Sequence, residues 1–221
     1  MNEPERILFF IKFGKKKYLE SLLKNGELFF NAPKVFNKIK ETNTEQGDEN
    51  EGAIWIKNSE NVELTINHPE IGEYKFKSIP NKVTKLTQFN HNYLICSFYA
   101  ITNRDFEQSK ILEIDERMSN FGEYALIISN TKLLTDSIIN SAEKEGLSLS
   151  GKKVEYKELS ILGRIELNPF IKKIEHSYQK EYRLVIKNSL ESSKILKVCE
   201  LGENGKIIPT ENLKKLKFEI K

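Results

Sequence analysis

The sequence has no apolar run that approaches the roughly 20 residues needed to cross a bilayer. Its longest apolar stretches, such as residues 7–11 and 93–101, are much shorter. Acidic residues occur from the start of the chain, and no basic stretch leads into an apolar segment with a small-residue cleavage site. We therefore expect no membrane span and no signal peptide, and hence a cytoplasmic protein.

Cysteine and histidine are also scarce. The two cysteines, Cys96 and Cys199, lie in apolar, strand-like surroundings, which favours free thiols over a disulfide and fits a reducing compartment. The three histidines have no cysteine or histidine partner at ligand spacing, so we expect no zinc site. Glycine-rich phosphate loops and nucleophile elbows are absent from the sequence. The acid and base candidates are therefore carboxylates.

No charge of one sign dominates the chain. The 35 basic and 32 acidic residues give a formal net charge of +3, which excludes the broad electrostatic footprint of a dedicated DNA-binding protein. Lysines are clustered at residues 15–17, 152–153 and 214–215. Such clusters either guide a nucleic acid or are simply solvated faces.

The composition is that of a globular protein, with 38% hydrophobic and 30% charged residues. At 221 residues the chain is long enough for one domain with a sizeable core, so we expect residues 1–221 to form a single domain. The polar stretch 38–52 predicts a mobile loop that is long enough to cover a pocket.

Hydrophobic periodicity predicts an α+β fold built mostly from strands. Helices are predicted at residues 15–24, 106–116, 131–145 and 169–178. An extended turn is predicted at 32–37, and a short helix plus a strand at 208–220. The predicted strands are 7–13, 28–31, 53–57, 62–67, 73–78, 92–100, 124–129, 153–159, 161–167, 181–187 and 195–201.

The first elements follow the order strand, turn, helix, glycine and strand, with Lys12-Phe13-Gly14 at the turn and Asn25-Gly26 closing the helix. This layout resembles the opening of ADP-ribosyltransferase-fold proteins. With Phe36-Asn37 and the acidic-glycine segment 48–52, it also resembles a bacterial family of uncharacterised proteins related to abortive-infection factors. The resemblance implies an ADP-ribosyltransferase-like split β core of mixed, mostly antiparallel sheets with a few flanking helices.

The resemblance also implies which residues bind NAD. Lys12 stands where the family has His or Arg, and Gly14 stands where it has Ser or Thr; a lysine offers a pyrophosphate a point charge without the guanidinium fork. Phe13 and Tyr18 are candidates for the ring that stacks on nicotinamide. Ser97 is the candidate for the serine that orients the catalytic glutamate, or else an ordinary small residue of a core strand.

The segment Gln179-Lys180-Glu181 resembles the catalytic motif of many ADP-ribosyltransferases, in which Glu or Gln, any residue and the catalytic Glu follow one another. Residues two apart in an extended segment face the same side, which predicts that Gln179 and Glu181 share one pocket. By the resemblance, Glu181 holds the nicotinamide ribose and stabilises the oxocarbenium-like charge, and Gln179 contacts the acceptor. Arg183 faces the same side and either binds substrate or pairs with Glu181 in a surface ion-pair ladder.

Taken as a whole, the resemblance implies an NAD-dependent ADP-ribosyltransferase that uses NAD as substrate and modifies a nucleic acid or a protein. It further implies a toxin or phage-defence effector with an antitoxin partner. Lys12 supports an alternative, a catalytically degenerate binding or antitoxin-like module of the same fold. A third hypothesis is a metal-dependent nuclease, because Asp136 followed by Glu155 and Lys157 matches the order of a metal-binding acid and a Glu-x-Lys strand.

Overall fold

The computed structural model describes residues 3–39, 47–77, 82–107, 110–215 and 218–219, which form an α+β fold dominated by strands. The described α-helices are α1 (Lys16–Asn25), α2 (Pro33–Ile39) and α3 (Thr131–Lys144). Short 3₁₀-helices cover Asn103–Phe106, Glu116–Phe121, Ile174–Gln179, Gly202–Asn204 and Thr210–Lys215. None of the helices in this part of the chain is long and apolar enough to cross a membrane.

In the described part of the chain, the strands are distributed over one large sheet and four small ones. In chain order they are β1 (Ile7–Gly14), β2 (Glu27–Asn31), β3 (Ala53–Ser59), β4 (Glu63–His68), β5 (Gly72–Lys77), β6 (Thr84–Phe89), β7 (Tyr93–Thr102), β8 (Ile111–Leu112), β9 (Tyr124–Ile128), β10 (Leu149–Lys153), β11 (Glu155–Lys157), β12 (Gly163–Glu166), β13 (Ile171–Lys173), β14 (Glu181–Lys187), β15 (Ser193–Lys197), β16 (Gly205–Pro209) and β17 (Phe218–Glu219).

The large sheet has eight antiparallel strands in the order β10-β14-β7-β1-β9-β16, with β2 beside β7 and β15 beside β2. A three-stranded sheet has the order β12-β3-β6, and β4 pairs with β5 as a separate exposed hairpin. The pairs β11-β13 and β8-β17 complete the set, and the first of these is parallel. The expectation of mostly antiparallel sheets with few helices is confirmed.

Both faces of the large sheet are covered. On one face, Phe10 and Phe98 belong to a core that includes residues of α1 and α3, and we call this side the helix face. On the other, Ile11 and Tyr99 belong to a second core with Met118, and we call this side the open face. Because β1 and β7 are buried on both sides, their sequences are nearly continuous apolar runs rather than alternating ones.

Most of the predicted elements with strong local patterns are confirmed. Strands β1, β7 and β14 and helices α1 and α3 lie within two residues of their predicted bounds. Helix α1 ends at Gly26, whose φ of 63° is the left-handed conformation that glycine adopts without a Cβ clash.

Three local predictions are wrong. Segment 106–116 contains β8 instead of a helix, and 169–178 is divided between β13 and a 3₁₀-helix, because pairing of β13 with β11 prevails over the local helical pattern. The expected turn at 32–37 is helix α2, in which Pro33 takes the first position that suits its fixed φ. Of the predicted loop 38–52, residues 40–46 lie outside the described residues, and Asp48 and Glu51 near its end are buried.

Replacing Phe98 by alanine should cost about 3–5 kcal/mol of the free energy of unfolding, because the ring is 2% exposed and packs 5.0 Å from the ring of Phe10. Urea unfolding measures the loss. The matched control is Phe76→Ala on the β4–β5 hairpin, where the ring is 55% exposed, and it should change stability by about 0.5 kcal/mol or less. Equal losses in the two variants would contradict this placement of the core.

Candidate functional site

A buried group of charged and polar side chains lies on the open face of the large sheet. It consists of Glu51, Lys172, Gln179, Glu181 and Arg183, and we call it the Glu181 cluster. Each of these residues is at most 8% exposed. Charged side chains at this depth need partners, since an unpaired buried charge is strongly destabilising.

Three consecutive elements and one distant turn build the cluster. Strand β14 supplies Glu181 and Arg183, which pair across the sheet with Tyr99 and Ser97 of β7. Strand β13 supplies Lys172, and the 3₁₀-helix Ile174–Gln179 supplies Gln179. Glu51 comes from the turn before β3. Because Glu181 and Arg183 are two apart on a strand, both side chains face the same side.

The carboxylate of Glu181 is held from several directions. Lys172 Nζ lies 2.6 Å from Oε1 and Arg183 Nη2 lies 3.0 Å from Oε2, and the Ser97 side chain on the neighbouring strand helps to lower the pKa of the carboxyl group. Burial alone would raise the pKa of Glu181, but the charges of Lys172 and Arg183 outweigh it and hold the pKa well below its usual range. The backbone N–H of Glu181 donates to Tyr156 Oη at 2.9 Å. Glu181 is therefore a fixed, ionised carboxylate.

Arg183 joins the two carboxylates of the cluster. Its guanidinium donates to Glu51 over 3.1 and 3.0 Å and to Glu181, and Nη1 also donates to the carbonyl oxygen of Pro169. Burial would lower the pKa of Arg183, but the charges of Glu51 and Glu181 raise it above its usual range. Burial raises the pKa of Glu51, and the positive charge of Arg183, which lowers it, offsets only part of that effect.

Gln179 joins the cluster by a route that differs from the predicted one. Alternation predicted that Gln179 lies on an extended segment. Gln179 instead ends a 3₁₀-helix, and Lys180 then turns the chain with a left-handed φ of 40°. Its Oε1 nevertheless accepts from Lys172 Nζ at 2.6 Å, which is the group that also binds Glu181. Its Nε2 lies 3.2 Å from His176 Nδ1.

Lys12 and Ser97 lie on adjacent strands, but their side chains reach different faces. Lys12 is paired in the sheet with Leu126 of β9, which belongs to the helix-face core. The Lys12 ammonium lies 3.3 Å from Cys96 Sγ. It also donates to the carbonyl oxygen of Ser97 at 2.7 Å. The structure therefore brings Ser97 to Glu181 and leaves the Lys12 ammonium on the opposite side of the sheet.

The two candidate aromatic rings are divided in the same way. Phe13 is packed with the open-face core, 6.3 Å from the ring of Tyr99. Tyr18 lies on α1, which packs on the helix face, and its ring is 45% exposed and 5.2 Å from that of Phe29. Of the two, Phe13 shares a face with Glu181 and Tyr18 does not.

Arg183 forms an ion pair with Glu181, as one of the two alternatives predicted. The pair is buried and is therefore not part of a surface ladder. The residues of the nuclease hypothesis have local partners: Asp136 pairs with Lys132 on α3, and Glu155 pairs with Lys157 on β11. Among the described residues, no group of three or more His, Cys, Asp and Glu side chains is arranged to hold a metal ion.

A cleft lies next to the Glu181 cluster, with a volume of about 700 Å³. We call it the Tyr99 cleft. Its described lining residues are Tyr99, Glu113, Ile114, Asp115, Glu116, Arg117, Tyr178, Lys180 and Leu213. Glu181 and Gln179 are outside this lining, although Gln179 Nε2 donates to Tyr178 Oη at 3.3 Å. Tyr178 thus both lines the cleft and contacts the buried cluster.

Three residues of the site escaped sequence reasoning. Glu51 belongs to the acidic-glycine segment that contributed to the family resemblance, but nothing local assigned it a partner. Lys172 lies in a segment with a helical pattern, and Tyr156 lies in a short exposed strand pattern.

Comparison with family models, with curated proteins and with solved structures finds no match to this chain.

Replacing Arg183 by alanine should destabilise the protein by about 3–5 kcal/mol, because it leaves the carboxylates of Glu51 and Glu181 buried with less compensation. Arg164→Ala is the matched control, since that arginine forms an exposed pair with Glu166 and should cost less than about 1 kcal/mol. Chemical denaturation of both variants compares the losses. A small loss for Arg183→Ala would show that the buried pairing contributes little.

The stability difference between wild type and Glu181→Gln should depend on pH. A carboxyl group whose pKa in the folded state is lowered stabilises the fold above its unfolded value, near 4.5, and loses that contribution as the pH falls through the folded pKa. The difference should therefore be constant from about pH 6 to 8 and shrink below about pH 4.5. Denaturant titrations across this range test it, with the exposed Glu166→Gln as the control. A difference that grows on acidification would contradict the assignment.

Proposed function

We propose that the chain is an NAD-dependent ADP-ribosyltransferase-like enzyme in which Glu181 is the catalytic carboxylate. The observation that carries the proposal is the meeting of Gln179 and Glu181 in one buried cluster, with Ser97 of the neighbouring strand on the same face and the carboxylate of Glu181 held ionised. These are the three residues that the resemblance assigns to orientation, acceptor contact and catalysis. Strands β1, β7 and β14, which carry the three main motifs, also lie side by side in the sheet.

The chemistry assigned to Glu181 follows from its charge. When the bond between nicotinamide and ribose breaks, positive charge develops on the ribose, and a preorganised anion lowers the energy of that state. Lys172 and Arg183 fix the carboxylate in position, which removes the cost of reorienting it during the reaction.

The acceptor and the biological role extend this proposal. The exposed lysines at 15–17 and 152–153 suit a nucleic acid acceptor, and a protein acceptor fits the same chemistry. Cys96 and Cys199 are free thiols, which fits a cytoplasmic location. A toxin or phage-defence effector, held in check by an antitoxin, is the role that the family resemblance implies.

A second candidate function is a binding module of the same fold without catalysis. One specific observation favours it: the Lys12 ammonium lies on the helix face and donates to the Ser97 carbonyl, so the basic residue expected to contact NAD is turned away from Glu181. In that case NAD or a related nucleotide binds without release of nicotinamide.

Replacing Glu181 by glutamine should lower NAD cleavage about a hundredfold or more, because the neutral amide cannot stabilise the developing positive charge. Release of nicotinamide from NAD, followed chromatographically, measures the rate. Circular dichroism at the assay temperature establishes that the variant is folded.

The matched control is Glu175→Gln. Its carboxylate lies on the 3₁₀-helix that carries Gln179, pairs with Lys173 and is 65% exposed, so NAD cleavage should stay at the wild-type rate. Equal rates for wild type and Glu181→Gln would end the transferase proposal. NAD binding without any nicotinamide release in the wild type would select the binding module.

A further inference from the structure

The Tyr99 cleft has the properties of a binding site in its own right. Its volume of about 700 Å³ is within the ordinary range of ligand pockets, and two tyrosine rings line it. Tyr99 is 3% exposed and Tyr178 is 9% exposed, so both are fixed by the surrounding core. The cleft is larger than one side chain needs and can take a segment of another molecule.

Tyr99 lines the cleft, and its hydroxyl group makes no hydrogen bond to another of the described residues. It lies in the field of the carboxylates of Asp105 and Asp115, which together with burial raise the pKa of Tyr99. A ligand with several N–H donors could donate hydrogen bonds to the Tyr99 hydroxyl oxygen and to a carboxylate at the same time.

The chain itself shows how the cleft holds a guanidinium group. Arg117 Cζ lies 3.6 Å from the centre of the Tyr178 ring, in the geometry of a cation–π contact. Arg117 Nε and Nη2 donate to the two carboxylate oxygens of Asp115 at 2.9 and 2.7 Å, which is bidentate pairing. The Arg117 side chain is 45% exposed, so leaving this position requires little rearrangement of the core.

The charges of the cleft select against phosphate groups. Three carboxylates, those of Glu113, Asp115 and Glu116, line it against two cations. Both cations already have carboxylate partners, since Arg117 pairs with Asp115 and Lys180 Nζ lies 2.6 Å from Asp105 Oδ1. A nucleic acid backbone would meet repulsion here, whereas a planar cation meets aromatic rings and carboxylates.

We propose that the Tyr99 cleft binds an arginine side chain of a partner protein, and that Arg117 occupies the guanidinium position until that side chain displaces it. The partner's guanidinium then stacks on Tyr178, pairs with Asp115 and donates to the Tyr99 hydroxyl. This inference goes beyond the proposed function and does not rest on it, because it concerns binding alone.

The test compares three acetylated tripeptides of sequence Gly-X-Gly, in which X is arginine, its neutral isostere citrulline, or lysine. Two-dimensional NMR titration without NAD gives their dissociation constants. The Arg117→Ala variant should bind the arginine peptide about tenfold more tightly than wild type, because the internal competitor is gone. The citrulline and lysine peptides should bind at least about tenfold more weakly than arginine, since they lack the charge or the planar fork.

Arg164→Ala is the matched control, because Arg164 also stacks on an aromatic ring, that of Trp55, and pairs with a carboxylate, that of Glu166. It should leave the affinity for the arginine peptide at the wild-type value. Tyr99→Phe in the Arg117→Ala background should weaken binding about threefold to tenfold, since the ring stays and a single hydroxyl is lost.

Three results would overturn the proposal. The first is a folded Arg117→Ala variant that binds the arginine peptide no better than wild type. The second is a citrulline peptide that binds as well as the arginine peptide, and the third is displacement of the peptide from the cleft by a short single-stranded DNA. Thermal melting confirms that each variant is folded. Because binding is read without NAD, these outcomes are independent of whether Glu181 catalyses NAD cleavage.

Discussion

Arg183 is the constraint on which the arrangement of the open face depends. Its guanidinium binds Glu51 from the turn before β3 and Glu181 from its own strand, so it ties the large sheet to the three-stranded sheet that begins with β3. Because Arg183 is only 2% exposed, bulk water does not compete for these bonds. The position of Glu51, and through it the path of the chain into β3, follows from one side chain of β14.

Burying charged groups in such a cluster has a large desolvation cost. A buried ion pair often contributes no more stability than well-packed apolar side chains of the same volume, because both charges lose their hydration. The helix face shows the apolar solution on the same strands, with Phe10, Phe98 and Leu126 in one core. The contrast between the faces singles out the open face, since perturbed and paired charges concentrate where a protein performs its chemistry.

Local patterns were enough to predict the elements that depend on local contacts. The spacing of Leu19 and Leu22 with the stop at Gly26 predicted α1, and the alternation on β14 predicted that Glu181 and Arg183 share a face. The rest depends on residues distant in sequence. Glu51 is 132 positions from its partner Arg183, and no local pattern encodes that contact.

The face on which Lys12 lies shows the same limit. Alternation along β1 gives two sides, but which of them carries Glu181 depends on the register of β1 against β7 and of β7 against β14. A register of β1 shifted by one residue would have placed the Lys12 side chain on the face that carries Glu181. Lys172 was missed because pairing of β13 with β11 prevailed over the local helical pattern of its segment.

The central place of β1 in the large sheet has a consequence for how the chain folds. Its neighbours are β7 and β9, and 85 positions separate Lys12 from its contact in Ser97, so the first strand stays without its sheet partners until much of the chain has been synthesised. Sheets with such distant pairings fold on the slow side, in milliseconds to seconds. During that interval the apolar segment of β1 is exposed to the solvent and to chaperones.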